Sequence, residues 1–188
     1  MGIDAILRNI QDSCDNFITE NMNSILVELE KNKTNIDSDF TNTIIDNIEK
    51  KSWGVYVFYI NPKKTISTFE QLNDLWQTDK NGKRLHSSKV IKGRFKSLNS
   101  GESICFYIGK SEDIASRIKQ HINQQTKYTT YSLKLSEHDR LHEENSFSYS
   151  YYVIKENPEE DIKDGMKCLL VTLEKTLRHK LRPVIGKQ

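Results

Sequence analysis

The chain has 188 residues, 29% of them charged and 36% hydrophobic, with a formal net charge of +2 and three cysteines. That size suits one domain able to bury a core without covalent staples, and an odd cysteine count lacking CxxC spacing argues against a zinc site or a disulfide framework. The cysteine usage fits a reducing cytoplasm, Asp4, Arg8, Asp12 and Asp15 interrupt any signal-like run, and no apolar stretch approaches membrane-spanning length, so no membrane partner is expected.

Charge is unevenly spread. Residues 1–50 carry 4 Lys/Arg and 10 Asp/Glu, residues 51–128 carry 14 and 6, and residues 129–188 carry 10 of each. The basic middle calls for a polyanionic partner. Within residues 1–50, Ile3, Ile6, Leu7, Ile10, Cys14, Phe17, Ile18, Met22, Ile25, Leu26 and Leu29 recur at steps of three and four, which predicts a long amphipathic helix. Asn32 to Asn35 breaks it, and Ser38 or Asp39 caps a second helix through Phe40, Ile44, Ile45 and Ile48. This N-terminal helical extension either packs on the domain or pairs two copies into a homodimer.

Gly54 to Ile60 is a β-rich run, closed by Asn61-Pro62, and predicts a buried strand. Residues 61–102 read as an irregular insertion with one short helix (Phe69, Leu72, Leu75, Trp76) and a turn at Asn81-Gly82. From Lys80 to Lys96 there are seven Lys/Arg and His86 but no acid, with Val90, Ile91 and Phe95 interleaved. Lys89, Lys92, Arg94 and Lys96 are candidate DNA contacts; a disordered basic loop is the plainer reading. Ile104 to Ile108 forms the next strand, and Ser111 caps a helix running from Glu112 to about Asn123. Arg117 and His121 share a face of that helix, four residues apart. With Tyr107 they place a phenol, a guanidinium and an imidazole at one strand-to-helix junction, a set suited to chemistry on an anion.

Residues 124–146 are polar, with weak alternation at Tyr128, Tyr131, Leu133 and Leu135 and a helical stretch from Glu137 to Glu144. Phe147, Tyr149, Tyr151 and Val153 alternate with Ser148, Ser150 and Tyr152, as in a half-exposed strand. Asn157-Pro158-Glu159-Glu160 opens the last helix, with Pro at its first position. The helix stripe runs Ile162, Met166, Leu169, Leu170, Leu173, Leu177 and Leu181, and Pro183 ends it. Glu174 falls at the edge of that stripe, where a carboxylate can face a cleft.

Gly54-Val55-Tyr56 and Tyr107-Ile108-Gly109 on successive strands resemble the two motifs of the GIY-YIG nuclease family. An arginine ten residues after Tyr107 (Arg117), a histidine fourteen after it (His121), and Glu174 followed nine residues on by Pro183 complete an ordered set over residues 53–186. The resemblance implies an α/β (α+β) domain over residues 51–188, with a small antiparallel sheet of about three strands flanked by helices. It implies hydrolysis of a DNA phosphodiester with one divalent ion, Mg²⁺ or Mn²⁺. Tyr56 and Tyr107 would be the motif tyrosines, Arg117 the catalytic arginine, His121 its supporting histidine and Glu174 the metal ligand. Lys110 and Lys119 flank the site as phosphate contacts, and His138, His142 and His179 match no family position and read as structural. A guanidinium fork suits the charge that builds on phosphoryl oxygens, and a hard cation with one carboxylate and waters polarises the phosphate. A tyrosine, with pKa near 10, lowered by the metal, Arg117 and His121, would serve as base; Tyr56 takes that role and Tyr107 positions water or phosphate. The sequence departs from the family twice: 51 residues separate Tyr56 from Tyr107, and Gly186 stands where an asparagine is frequent, with Gln188 the nearest substitute. The expectation is a metal-dependent, sequence-specific endonuclease of double-stranded DNA, similar to the family's small restriction enzymes. The alternatives are a GIY-YIG nuclease of repair, phage or mobile-element origin, an RNA-directed nuclease, or a non-cleaving DNA-binding protein on the same fold.

Overall fold

Strand β2 (Ser52–Pro62) is buried almost end to end and divides the core in two. In the computed structural model, which describes residues 2–37, 48–85, 88–123 and 132–186, Tyr56, Phe58 and Ile60 join one apolar cluster. Trp53, Val55, Val57 and Tyr59 join the other. A strand covered on both faces has no polar side, which is why its sequence reads as one apolar run. Each large side chain buried there contributes roughly 1.5–3 kcal/mol.

The sheet has four antiparallel strands in the order β1-β4-β2-β3, with β1 (Thr34–Ile36), β3 (Ile104–Ser111) and β4 (Asn145–Glu156). That is one strand more than expected. The segment read as a helix break pairs Thr34, Asn35 and Ile36 with Tyr149, Ser148 and Phe147, so its backbone groups find partners in a ladder. Helices α1 (Ile3–Lys31) and α5 (Lys163–Leu181) cover one face, through Ile18, Met22, Ile25 and Leu29 and through Met166, Leu170, Leu173 and Leu177. Helices α2 (Phe69–Gln77), α3 (Ile114–Asn123) and α4 (Asp139–Glu144) cover the other. Only the second half of α1 packs: burial begins at Cys14, while Ile3, Ile6, Leu7 and Ile10 are exposed. The expected second helix lies outside the described residues except for Ile48, which is buried. Among the described residues no helix is long and apolar enough to cross a membrane.

Four further elements differ from the expectation. The insertion is part of the core, not an irregular loop. Ile66 and Leu98 exchange backbone hydrogen bonds of 2.9 Å each, closing it at its base. Leu72, Trp76, Val90 and Leu98 are buried against the sheet. Strand β4 is not half-exposed, because α1 lies over its second face: Ser148 and Ser150 are buried, with Ser150 Oγ 3.1 Å from Tyr59 Oη. Helix α3 is capped by Asp113, not Ser111; its Oδ1 accepts the Ser116 N–H at 3.0 Å, and Ser111 still belongs to β3. Helix α5 starts at Lys163, after a 3₁₀ turn at Glu160–Ile162, because Asn157 turns into the left-handed region (φ 43°) and Pro158 falls outside the helix.

Past α5 the chain returns to β3. Val184 N–H donates to Cys105 O (3.2 Å) and Ile185 N–H to Phe106 O (3.0 Å), while Ile91 N–H donates to Val184 O (2.9 Å) and Gly186 N–H to Lys89 O (3.2 Å). The basic insertion is thereby laced to the edge strand that carries Tyr107.

Candidate active site

Two glycines let the motif strands meet. Gly54 and Gly109 flank Tyr56 in the β2–β3 ladder, where Tyr56 pairs with Gly109. A methyl on Gly109 would lie 2.2 Å from Tyr56 Oη, so the tyrosine ring occupies the space that a side chain would need. A methyl on Gly54 would lie 2.0 Å from Tyr152 O, where β4 presses close.

Tyr56, Tyr107 and His121 form a triangle of rings with centroids 6.3, 5.2 and 5.1 Å apart. Helix α3 delivers His121 because its buried stripe is Ile114, Ile118, His121 and Ile122. The direction of the hydrogen bonds follows from one contact. The Leu133 N–H donates to His121 Nδ1 at 2.9 Å, so Nδ1 carries no proton. Burial holds the imidazole neutral, well below its usual pKa, so the remaining proton sits on Nε2. Nε2–H then donates to Tyr56 Oη at 2.8 Å. The Arg117 charge also favours a phenolate at that oxygen, and the Tyr107 ring stands 6.3 Å from that of Tyr56. The His121 N–H and the Arg117 charge favour the Tyr56 phenolate, yet burial at 1% exposure outweighs them and raises its pKa above the ordinary tyrosine value. The expected lowering rested on a bound metal as well as on Arg117 and His121; among the protein's own groups, desolvation dominates. Tyr107 is raised as well, chiefly by burial, with Arg178 and Arg117 opposing.

Glu174 projects from α5 with a side chain 16% exposed. Arg178 Nη2 lies 2.9 Å from its Oε1, and Lys110 Nζ lies 3.7 Å from its Oε2. Arg178 also donates to Ile108 O at 3.2 Å, tying α5 to β3 beside Tyr107. Arg178 was not singled out from the sequence; its position four after Glu174 was the available signal. Glu174 and Arg178 line a cleft of about 620 Å³ with Arg94 and Thr172, closed on one side by Gln11 and Asp15 of α1.

The structure thus gathers Tyr56, Tyr107, Arg117, His121, Glu174 and Lys110, and it adds Arg94 from the insertion. Lys89, Lys92, Lys96 and Lys119 are exposed and outside this cluster; Lys92 lies 3.9 Å from Glu70. Gly186 lies against the Tyr107 ring, 3.9 Å from where a methyl would sit. Gln188 and His86 lie outside the described residues. Among those residues no group of three or more His, Cys, Asp or Glu could hold a metal ion. A cation here would have one carboxylate, Glu174, with water and substrate oxygens for the rest. That donor set fits Mg²⁺ or Mn²⁺ and no softer ion.

His138 supports the site from behind. It stacks on Trp76 at 3.8 Å and 7°, and its Nε2–H donates to Leu133 O at 3.0 Å, steadying the peptide that fixes His121. Burial lowers its pKa to about 4. A histidine neutral in the fold but titrating near 6.5 when unfolded contributes stability that is present above pH 6.5. That contribution is lost as pH falls towards 4, about 3 kcal/mol in all. Urea unfolding at a series of pH values is expected to show this acid limb, flattened in His138→Gln; an unchanged slope in the variant would remove His138 as its source.

No family model, curated protein or solved structure matches the chain.

Proposed function

We propose that the chain is a metal-dependent endonuclease that hydrolyses phosphodiester bonds of double-stranded DNA, of the GIY-YIG type and similar to the family's restriction enzymes. One observation carries the reading: two phenols, an imidazole and a guanidinium from β2, β3 and α3 gather within electrostatic reach of a carboxylate on α5, Glu174, which itself lines a cleft. Nothing in a plain core requires five such groups on four elements to converge.

The chemistry follows from the contacts. Arg117 supplies a fixed positive fork for the charge that develops on the phosphoryl oxygens. As base Tyr56 would act in its phenolate form, which the His121 Nε2–H and the Arg117 charge favour and the charge of an ion held by Glu174 would favour further; taking the proton of the attacking water returns it to the phenol. Tyr107, half-buried with its ring 6.3 Å from that of Tyr56, positions water or phosphate. Glu174 would hold the divalent ion, which when bound supplies charge neutralisation at the phosphate and the leaving oxygen. Lys110, beside Glu174, adds positive charge for the substrate strand. Lys89, Lys92, Arg94 and Lys96 stand on the insertion, which the C-terminal segment fastens beside β3. That geometry suits recognition of the duplex flanking the cut.

Purified protein incubated with supercoiled plasmid and Mg²⁺ is expected to give nicked and linear products, absent with EDTA, and discrete bands if cutting is sequence-specific. Arg117→Ala is expected to lower kcat by about a hundredfold or more while changing DNA affinity only a few-fold. Intact plasmid with tight DNA binding would establish the non-cleaving alternative. A loss of affinity as large as the loss of rate would make Arg117 a binding residue.

A further inference from the structure

Arg94 differs from the other cations of the insertion. Lys89, Lys92 and Lys96 are exposed and meet solvent. Arg94 is half-buried, lines the cleft with Glu174 and Arg178, and has its Nη1 buried without a hydrogen-bond partner. A guanidinium stays charged at any physiological pH, so it cannot escape desolvation by losing its proton. Leaving one of its nitrogens dry and unpaired is costly.

Among the described residues Arg94 forms no ion pair, although Asp15 and Glu174 line the same cleft. The thiol it acts on, Cys105, is pushed up to about 12 by burial and is therefore neutral. Glu174 is already engaged by Arg178 and Lys110. The residue is nevertheless held in place. It sits on the 3₁₀ turn Lys92–Arg94, where Arg94 N–H and Phe95 N–H both donate to Ile91 O. Ile91 is itself tied to Val184. Lys175, Arg178 and His179 line the same cleft, so basic groups outnumber the acids Asp15 and Glu174. A guanidinium held in place with one nitrogen unpaired, in a cleft where cations outnumber carboxylates, suits an anion.

We propose that Arg94 binds a backbone phosphate of the substrate strand inside this cleft, next to the phosphate that Arg117 and Glu174 address. This rests on the phosphodiesterase reading for the identity of the anion, but the anion site itself does not. The insertion then contributes to the site directly, by a side chain within the cleft, and not only through a basic outer surface.

The test uses the full chain and inorganic phosphate as probe, with melting temperature as readout. Phosphate is expected to raise the melting temperature of the unaltered protein and of Lys92→Met, and to leave that of Arg94→Met unchanged. Arg94→Met removes a buried unpaired charge and is expected to fold; Arg94→Lys, with charge but no fork, should show part of the shift. In plasmid cleavage, Arg94→Met is expected to lower kcat/KM by about ten- to a hundredfold, the loss of one charged hydrogen-bonded contact. Equal stabilisation of Arg94→Met and the unaltered protein by phosphate, or none in either, would overturn the site. If phosphate protection depends on Arg94 yet no variant or parent cuts nucleic acid, the anion site stands and the nuclease reading falls. If the parent cuts and Arg94→Met cuts equally well, the nuclease reading stands and Arg94 is not part of it.

Discussion

Glu174→Gln is expected to reduce Mg²⁺-dependent cleavage about a thousandfold or more while leaving DNA binding intact or tighter. Among the described residues Glu174 is the one carboxylate shared by the cleft and the Tyr107 neighbourhood, and it is largely withdrawn from solvent. Glutamine keeps the shape and an acceptor oxygen for Arg178, so the tie from α5 to β3 through Ile108 O should survive. It lacks the negative charge that holds a hard cation. Removing that charge also leaves Arg178 and Lys110 uncompensated, which favours a polyanion over the free protein. Single-turnover cleavage of a labelled duplex gives the rate, and binding in Ca²⁺ gives the affinity. A partial return of activity in Glu174→Asp would mark the carboxylate as functional and not merely structural. Cleavage by Glu174→Gln at the parent rate would place the metal ligand elsewhere.

Local sequence was enough for the residues whose role depends on spacing. Arg117 and His121 share a face of α3 because a helix puts positions four apart together, and the buried stripe of α5 follows its apolar period. It was insufficient where tertiary contact decides. Thr34 to Ile36 is a strand only because β4 offers it a ladder, and three polar-flanked residues carry no period of their own. Ser148 and Ser150 look solvent-facing until α1 is laid over them. The insertion read as irregular because its apolar residues Ile66, Val90 and Leu98 lie far apart in the sequence and meet only in the fold. The same holds for charge. Tyr56 was expected to be acidified by a metal, Arg117 and His121; Arg117 does oppose the upward shift, but the burial that outweighs it belongs to a site between β2, β3 and α3. The Leu133 N–H that sets the His121 proton had no sequence signal at all, since a backbone group is the same at every residue.

The second large effect is expected from the smallest change. Gly109→Ala adds one methyl group at a point 2.2 Å from Tyr56 Oη, 2.4 Å from Cζ and 2.8 Å from Cε2. These are ring atoms, so no flexible end can swing aside. Tyr56 is 1% exposed, with Phe58 edge-on at 6.0 Å and His121 at 5.2 Å, so the ring has no room to retreat. The backbone of Gly109 does not need glycine for its own conformation, since its φ is not in the left-handed region. The requirement is space alone. The substitution should therefore destabilise the fold by about 1–3 kcal/mol, as overpacking does. It should also break the 2.8 Å bond from His121 to Tyr56 and with it at least a hundredfold of the cleavage rate. The partner in the clash can be identified by a double substitution. In a Tyr56→Ala background the added methyl has somewhere to go, so Gly109→Ala should cost little further stability. An equal cost in both backgrounds, measured by urea unfolding, would show that the methyl collides with the strand itself and that Gly109 does not serve the tyrosine.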